Sequence, residues 1–101
     1  MNSINITGRI TTKPELKYTE REKKAVVNFS IAYNASEDHT DFFNVTVYEK
    51  QAENLAKYID KGDMLAISGR LTTRTYTNKD GKEVTVTEII ASNITFLTKK
   101  D

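Results

Sequence analysis

The chain has 101 residues, 38% of them apolar and 29% charged, which suits one globular domain with a modest core and excludes a disordered chain. It has no cysteine, so disulfides and thiolate metal sites are excluded. No apolar run approaches the roughly 18–20 residues of a membrane span and no signal peptide precedes the first strand-like segment, so a soluble, cytoplasmic protein is expected. The net charge of 15 − 14 = +1 hides a skew: Ala35 to Asp63 holds seven acidic and three basic residues, whereas Met64 to Thr87 holds four basic and two acidic.

In chain order, "INITGRI" (residues 4–10) alternates, with Ile4, Ile6 and Ile10 on one side, Asn5, Thr7 and Arg9 on the other, and Gly8 marking a bend or bulge. "TTKPELKYT" holds the only proline and breaks the pattern. "AVVNFSIAYN" is a second strand, with Val27, Phe29, Ile31 and Tyr33 inward and the small residues Asn28, Ser30, Ala32 and Asn34 outward. The polar connection "ASEDHTD" leads to a third strand, Phe42–Tyr48, whose inward residues are Phe43, Val45 and Val47. Its outward face carries Phe42, Asn44, Thr46 and Tyr48, two large rings on the side that ought to meet water.

The period then changes. In "KQAENLAKYIDKG", Ala52, Leu55, Ala56 and Ile59 fall at i, i+3, i+4 and i+7, which predicts an amphipathic helix of about three turns that Gly62 would end. "MLAISGRLTTRTYT" returns to period two with Leu65, Ile67 and Leu71 inward. "NKDGK" supplies a hairpin turn at Asp80-Gly81, and "EVTVTEIIASNITFL" follows as one or two final strands. Residues 1–98 are expected to form the domain and "KKD" (residues 99–101) a short frayed end. Three strands, a helix and further strands with a marked hairpin match an all-β fold, the five-stranded Greek-key oligonucleotide/oligosaccharide-binding (OB) barrel with one helix between its third and fourth strands. An open α+β sheet is the alternative.

Placing Leu65, Ile67 and Leu71 inward sends Arg70, Thr72, Arg74 and Tyr76 outward together: cation, hydroxyl, cation and ring over about 20 Å at roughly 3.3 Å per residue. With Phe42 and Tyr48 this makes a face suited to single-stranded nucleic acid. Unpaired bases expose π-faces that stack on Phe or Tyr without regard to sequence, and the phosphates between them need cations. A duplex hides those π-faces. Ordinary cross-strand packing would explain any one of these residues, but the five together are harder to dismiss.

Three blocks, "GRI…KPELKYT", "FFNVTVYEKQAENLAKYIDKGD" and "GRLTTRTYTNKDGKEVTVTEIIASNITFL", resemble the single-stranded DNA-binding proteins of bacteria, their phages and plasmids, from about Ile4 to Leu97. The resemblance implies an OB fold, no enzymatic activity, no cofactor, single-stranded DNA as partner, and a homo-oligomer, tetramer favoured over dimer. It implies base stacking on Phe42, Tyr48 and Tyr76, with Arg70 and Arg74 in the strand that leads to the last; on the binding reading of the residues these two arginines, with Arg9 and Lys50, are expected on phosphates. The family often has a further stacking ring in the loop after the second strand; here "ASEDHTD" offers only His39, so fewer stacked bases are expected. The family's long tail with an acidic, aromatic-tipped end is missing from a sequence that stops at Asp101, either because the protein is a tail-less plasmid- or phage-type member or because the chain is cut there, so nothing in it supports recruitment of replication or repair enzymes through such a tip.

Other chemistry is set aside. "EDHTD" has one His, no Cys and no metal-motif spacing, so it reads as a solvated loop and no metal is expected. No nucleophile elbow or Gly-rich phosphate loop is visible, and no carboxylate pair falls on the Arg and aromatic face. "EREKK" (residues 20–24) reads as a solvated loop that could lend Lys23 or Lys24 to a phosphate track. A protein-assembly module with the aromatic face as a subunit interface is the competing reading, and a small nuclease ranks third.

Overall fold

Alternating apolar and polar residues give this chain strands with one face to bury, and burying those faces against one another rolls the sheet up. The computed structural model describes residues 1–97; the expected frayed end at 99–101 and the last residue of the expected domain lie outside the described residues. The strands are β1 (Ile4–Ile10), β2 (Glu15–Tyr18), β3 (Ala25–Ser36), β4 (His39–Tyr48), β5 (Met64–Thr77) and β6 (Glu83–Phe96), with helix α1 (Glu49–Ala56) between β4 and β5. They form one sheet in the order β1-β5-β6-β4-β3-β2, and β1 also pairs with β3. That pairing closes β1, β3, β4, β6 and β5 into a barrel and leaves β2 on the edge of β3. The fold is the expected five-stranded all-β barrel, with its helix between the third and fourth barrel strands.

Inside lie Ile10, Val27, Phe29, Ile31, Val45, Val47, Leu65, Ile67 and Ile89, all nearly or fully buried. Each such aliphatic side chain stabilises the fold by about 1.5–3 kcal/mol relative to leaving it in water. Ala52 and Leu55 of α1, with Ile59 beyond it, belong to the same core. No helix among the described residues is long and apolar enough to cross a membrane.

Several expectations need correction. The proline-containing stretch is not merely a break: after Pro14, Glu15–Tyr18 pairs with Asn28–Ala25 as β2. All its side chains are exposed, so no burial pattern announced it. "ASEDHTD" is not a loop, since β3 runs to Ser36 and β4 begins at His39, leaving a turn at Glu37 and Asp38. The helix is shorter than three turns. It closes with Lys57 and Tyr58 donating backbone N–H groups three residues back, to Asn54 and Leu55, which still lets Ile59 reach the core. Gly62 (φ +95°) serves a later turn, where its N–H bonds the carbonyl of Ile10 at 2.8 Å.

Gly8 makes no bulge, because the β1–β5 register runs unbroken past it. It permits close approach instead: a Cβ there would sit 3.0 Å from both the Ala32 carbonyl oxygen and Ile31 Cδ1, where β1 meets β3. Tyr33 and Leu71 are not core residues, being 42% and 41% exposed. Both lie where a hairpin runs out beyond the barrel, so the face that is inward near the barrel has nothing left to face.

Candidate nucleic-acid interface

The outer face of β4 is shaped by its two neighbours. Antiparallel β3 sets Val26 opposite Tyr48, Asn28 opposite Thr46, Ser30 opposite Asn44 and Ala32 opposite Phe42. Parallel β6 sets Glu88 beside Asn44 and Ile90 beside Thr46. On the far side of β6, β5 sets Arg70 opposite Ile90, Thr72 opposite Glu88, Arg74 opposite Val86 and Tyr76 opposite Val84. The rows Asn28–Thr46–Ile90–Arg70 and Ser30–Asn44–Glu88–Thr72 therefore cross four strands on one surface. β4 and β5 are not neighbours, yet β6 joins their outward faces.

Three rings mark this surface: Phe42 is 65% exposed, Tyr48 43% and Tyr76 45%. The small residues of β3 make a floor, and two adjoining concavities of about 370 and 310 Å³ lie over it, both lined by Asn28, Arg74 and Glu88. Tyr48 borders the second. The face is thus polar and concave at its centre with rings around it.

The cations differ in how free they are. Arg70 is exposed and has no ion pair among the described residues. Arg74 lies 3.6 Å through Nε from Glu88 Oε2, and its guanidinium carbon is 5.9 Å from the centre of the Tyr76 ring, at the edge of cation–π range. Arg9 donates to the carbonyl of Gly62 at 2.6 Å, pinning the turn after α1 to the end of β1. It shares an outward row with Ala32 and Phe42, on the β1 side of β3. Lys50 is exposed in the first turn of α1, two residues past Tyr48. Lys24 is 3.0 Å from Glu22 and 3.6 Å from Glu49. Its hydrogen bond to Glu22, then the charges of Glu22 and Glu49, raise its pKa above the ordinary lysine range. Lys24 therefore already has two carboxylates, which makes it a poor phosphate contact. Lys23 sits at φ +56° in the same turn.

Phe42, Tyr48, Tyr76, Arg70 and Arg74 thus share one continuous face, whereas Arg9 and Lys50 lie at its margins. Sequence reasoning missed Glu88, a carboxylate on this same face. Its side chain is only 12% exposed, with Oε2 3.2 Å from Thr46 Oγ1; that hydroxyl also bonds Asn28 Oδ1 at 2.9 Å. The signal was there in principle. Ile94 and Ile89 both face the core, and strict alternation cannot bring that about over five positions. An extra residue, Ser92, makes up the count: Ser68 pairs with Asn93 and Gly69 with Ala91. Ser92 caps its own bulge by donating to the Ser68 carbonyl at 3.0 Å. No group of three His, Asp or Glu residues able to hold a metal occurs among the described residues. His39 instead lies 2.8 Å from Asp41 in the exposed hairpin.

The model of the single-strand binding protein family matches residues 1–97. The chain belongs to that family. It is 42% identical over 103 residues to a single-stranded DNA-binding protein of Halalkalibacterium halodurans, covering 96% of this chain and 61% of that one. It is 42% identical over 107 residues to single-stranded DNA-binding protein 1 of Staphylococcus aureus, covering all of this chain and 68% of the relative. The chain therefore spans about six tenths to two thirds of the length of these relatives. Among solved structures, one described as "Plasmodium falciparum SSB complex with ssDNA" superposes with a TM-score of 0.83 at 27% identity, covering 97% of this chain and 96% of that one. Family membership and this likeness together assign the barrel to the OB fold of that family.

Proposed function

We propose that this chain binds and coats single-stranded DNA without marked overall sequence preference, protecting single strands during replication, recombination, repair or DNA transfer. In this reading Phe42, Tyr48 and Tyr76 are stacking platforms, Arg70 and Arg74 meet the strand between them, and Arg9 and Lys50 extend the phosphate track at the margins. The observation that carries it is the sharing of one concave face by three exposed rings and two arginines. The names of the relatives and of the solved complex support the same partner. The role is one of binding, with no catalytic step, in the cytoplasm.

Anisotropy titration of a labelled oligo-dT, with matched duplex as competitor, tests this directly. Wild type should bind, resist the duplex and weaken with salt, log K falling by about 0.7 per neutralised phosphate per decade. Tyr76→Ala should lose about 1–3 kcal/mol of binding, the value of one stacked base. Absence of binding at low salt would overturn the reading and leave the aromatic face as an assembly surface.

A homo-oligomer, tetramer over dimer, completes the proposal, because several small barrels holding one strand gain avidity through effective concentration. Tyr58 and Phe96, 60% and 41% exposed, line one shallow concavity with Leu55 and Ile94, apolar surface that a subunit contact could cover. Light scattering that returned a monomer at micromolar protein would refute it.

A further inference from the structure

A carboxylate at the centre of a surface meant for a polyanion calls for an explanation. Glu88 stands in the middle row of the face, between Asn44 of β4 and Thr72 of β5, and lines both concavities. Its contacts with Thr46 and Arg74 both fall on Oε2, so Oε1 has no hydrogen-bond partner among the described residues. An ionised carboxylate only accepts hydrogen bonds. A phosphate is repelled from this position and directed to the outer strand of the face, where Arg70 is exposed with no ion pair among the described residues. What the centre can receive is the polar edge of a base, with Arg74 standing 3.6 Å from the carboxylate.

We propose that Glu88 reads the base edge at this one point, accepting from exocyclic amines and so favouring cytosine over thymine within a face otherwise indifferent to sequence; the inference rests on the single-strand reading above. Cytosine presents the N4 amine, a donor that a Glu carboxylate accepts well. Thymine presents the O4 carbonyl in the same place, and its N3–H lies between two carbonyl oxygens, so a carboxylate approaching it meets two further acceptors. Asn28, Ser30 and Asn44 around the same concavity supply groups that both donate and accept, and they fit either pyrimidine. Glu88 is the group that discriminates.

The experiment compares wild type and Glu88→Gln on oligo-dC and oligo-dT of equal length at fixed salt, by anisotropy. The two strands differ in stiffness as well as chemistry, so the reading is how the ratio Kd(dT)/Kd(dC) changes between the proteins. Glutamine keeps the size and one acceptor oxygen, loses the charge and gains a donor that suits thymine O4. The ratio should fall about five- to tenfold, the order expected when a charged acceptor is replaced by a neutral one. Wild type is also titrated with an oligomer of 2-pyrimidinone, which is cytosine without its 4-amino group. This strand should bind more weakly than oligo-dC by a similar factor, a result that does not depend on the variant folding. A ratio within twofold of wild type, or equal binding of 2-pyrimidinone and cytosine strands, overturns the proposal. So does a uniform gain in affinity of Glu88→Gln for every strand, which would make Glu88 a plain electrostatic ballast. If wild type binds none of the strands, the single-strand reading fails along with this one; binding without a change in ratio fails only this one.

Discussion

The same two strands behave differently at their two ends. Near the barrel, β5 and β6 are wall: Leu65, Ile67, Ile89 and Ala91 are buried against the core. Past Arg70 they become an arm, Leu71–Thr77 with Glu83–Thr87, in which every side chain of β5 but Thr72 is exposed. The wall is held by burial. The arm is held by its ladder, by cross-strand pairs such as the Thr75 and Thr85 hydroxyls at 3.0 Å, and by the turn, where Asn78 Oδ1 accepts from the N–H groups of Asp80 and Lys82. The difference teaches that burial and exposure are divided along the length of one hairpin, a division that under the proposed function separates stability from recognition. The wall answers to volume, and the arm is free to carry Arg74 and Tyr76 outward.

Substitutions at the junction and on either side of it can break that division, and the largest effect is expected at the junction. Gly69 sits where β6 bulges, and a methyl there would run into the Ile90 carbonyl, with the Ala91 Cα only 3.1 Å away. These are backbone atoms that cannot step aside without losing the bulge. Gly69→Ala should therefore destabilise by about 3 kcal/mol or more, beyond the usual range of overpacking. Urea unfolding that found it within about 1 kcal/mol of wild type would show the junction to be soft. The next test uses one face of one strand. Ile67→Ala, at a position 1% exposed, should cost about 2–5 kcal/mol. Leu71→Ala, four residues further out and 41% exposed, should cost under about 1 kcal/mol. Equal losses at the two positions in the same unfolding experiment would erase the distinction between wall and arm.

What the sequence made legible follows the same division. Val27, Phe29, Ile31, Val45, Val47, Leu65 and Ile67 could be placed inward because each faces a filled core, and period two is the imprint of that core. Tyr33 and Leu71 continue the same pattern, but alternation carries no mark of where the barrel stops. β2 left no imprint because neither of its faces is buried. The exposed rings Phe42, Tyr48 and Tyr76 and both arginines of β5 were readable as large or charged side chains out of phase with a core face. Glu88 was not. Its face depends on one inserted residue, Ser92, and an insertion is visible only once the partner strand is known. Arg9 and Lys24 show the converse: the sequence gives a cation, but whether a carbonyl or a carboxylate has already claimed it is a matter of tertiary geometry.

The barrel closes on two short seams. β1 meets β3 through the pairs Arg9–Ala32 and Ile10–Ile31 alone, and β4 meets β6 through three parallel pairs, Asn44–Glu88 to Thr46–Ile90. The two β hairpins, β3–β4 and β5–β6, are local and long by comparison. Pairings between distant parts of a chain are slow to form and carry the larger loop-closure entropy. On those grounds the local hairpins are expected to form before the seams, an order that φ-value analysis would check. The β4–β6 seam runs directly beneath the concave face. With only three pairs to hold it, that seam is the part of the groove floor with the fewest ladder bonds to lose, so a change in groove width would cost least there.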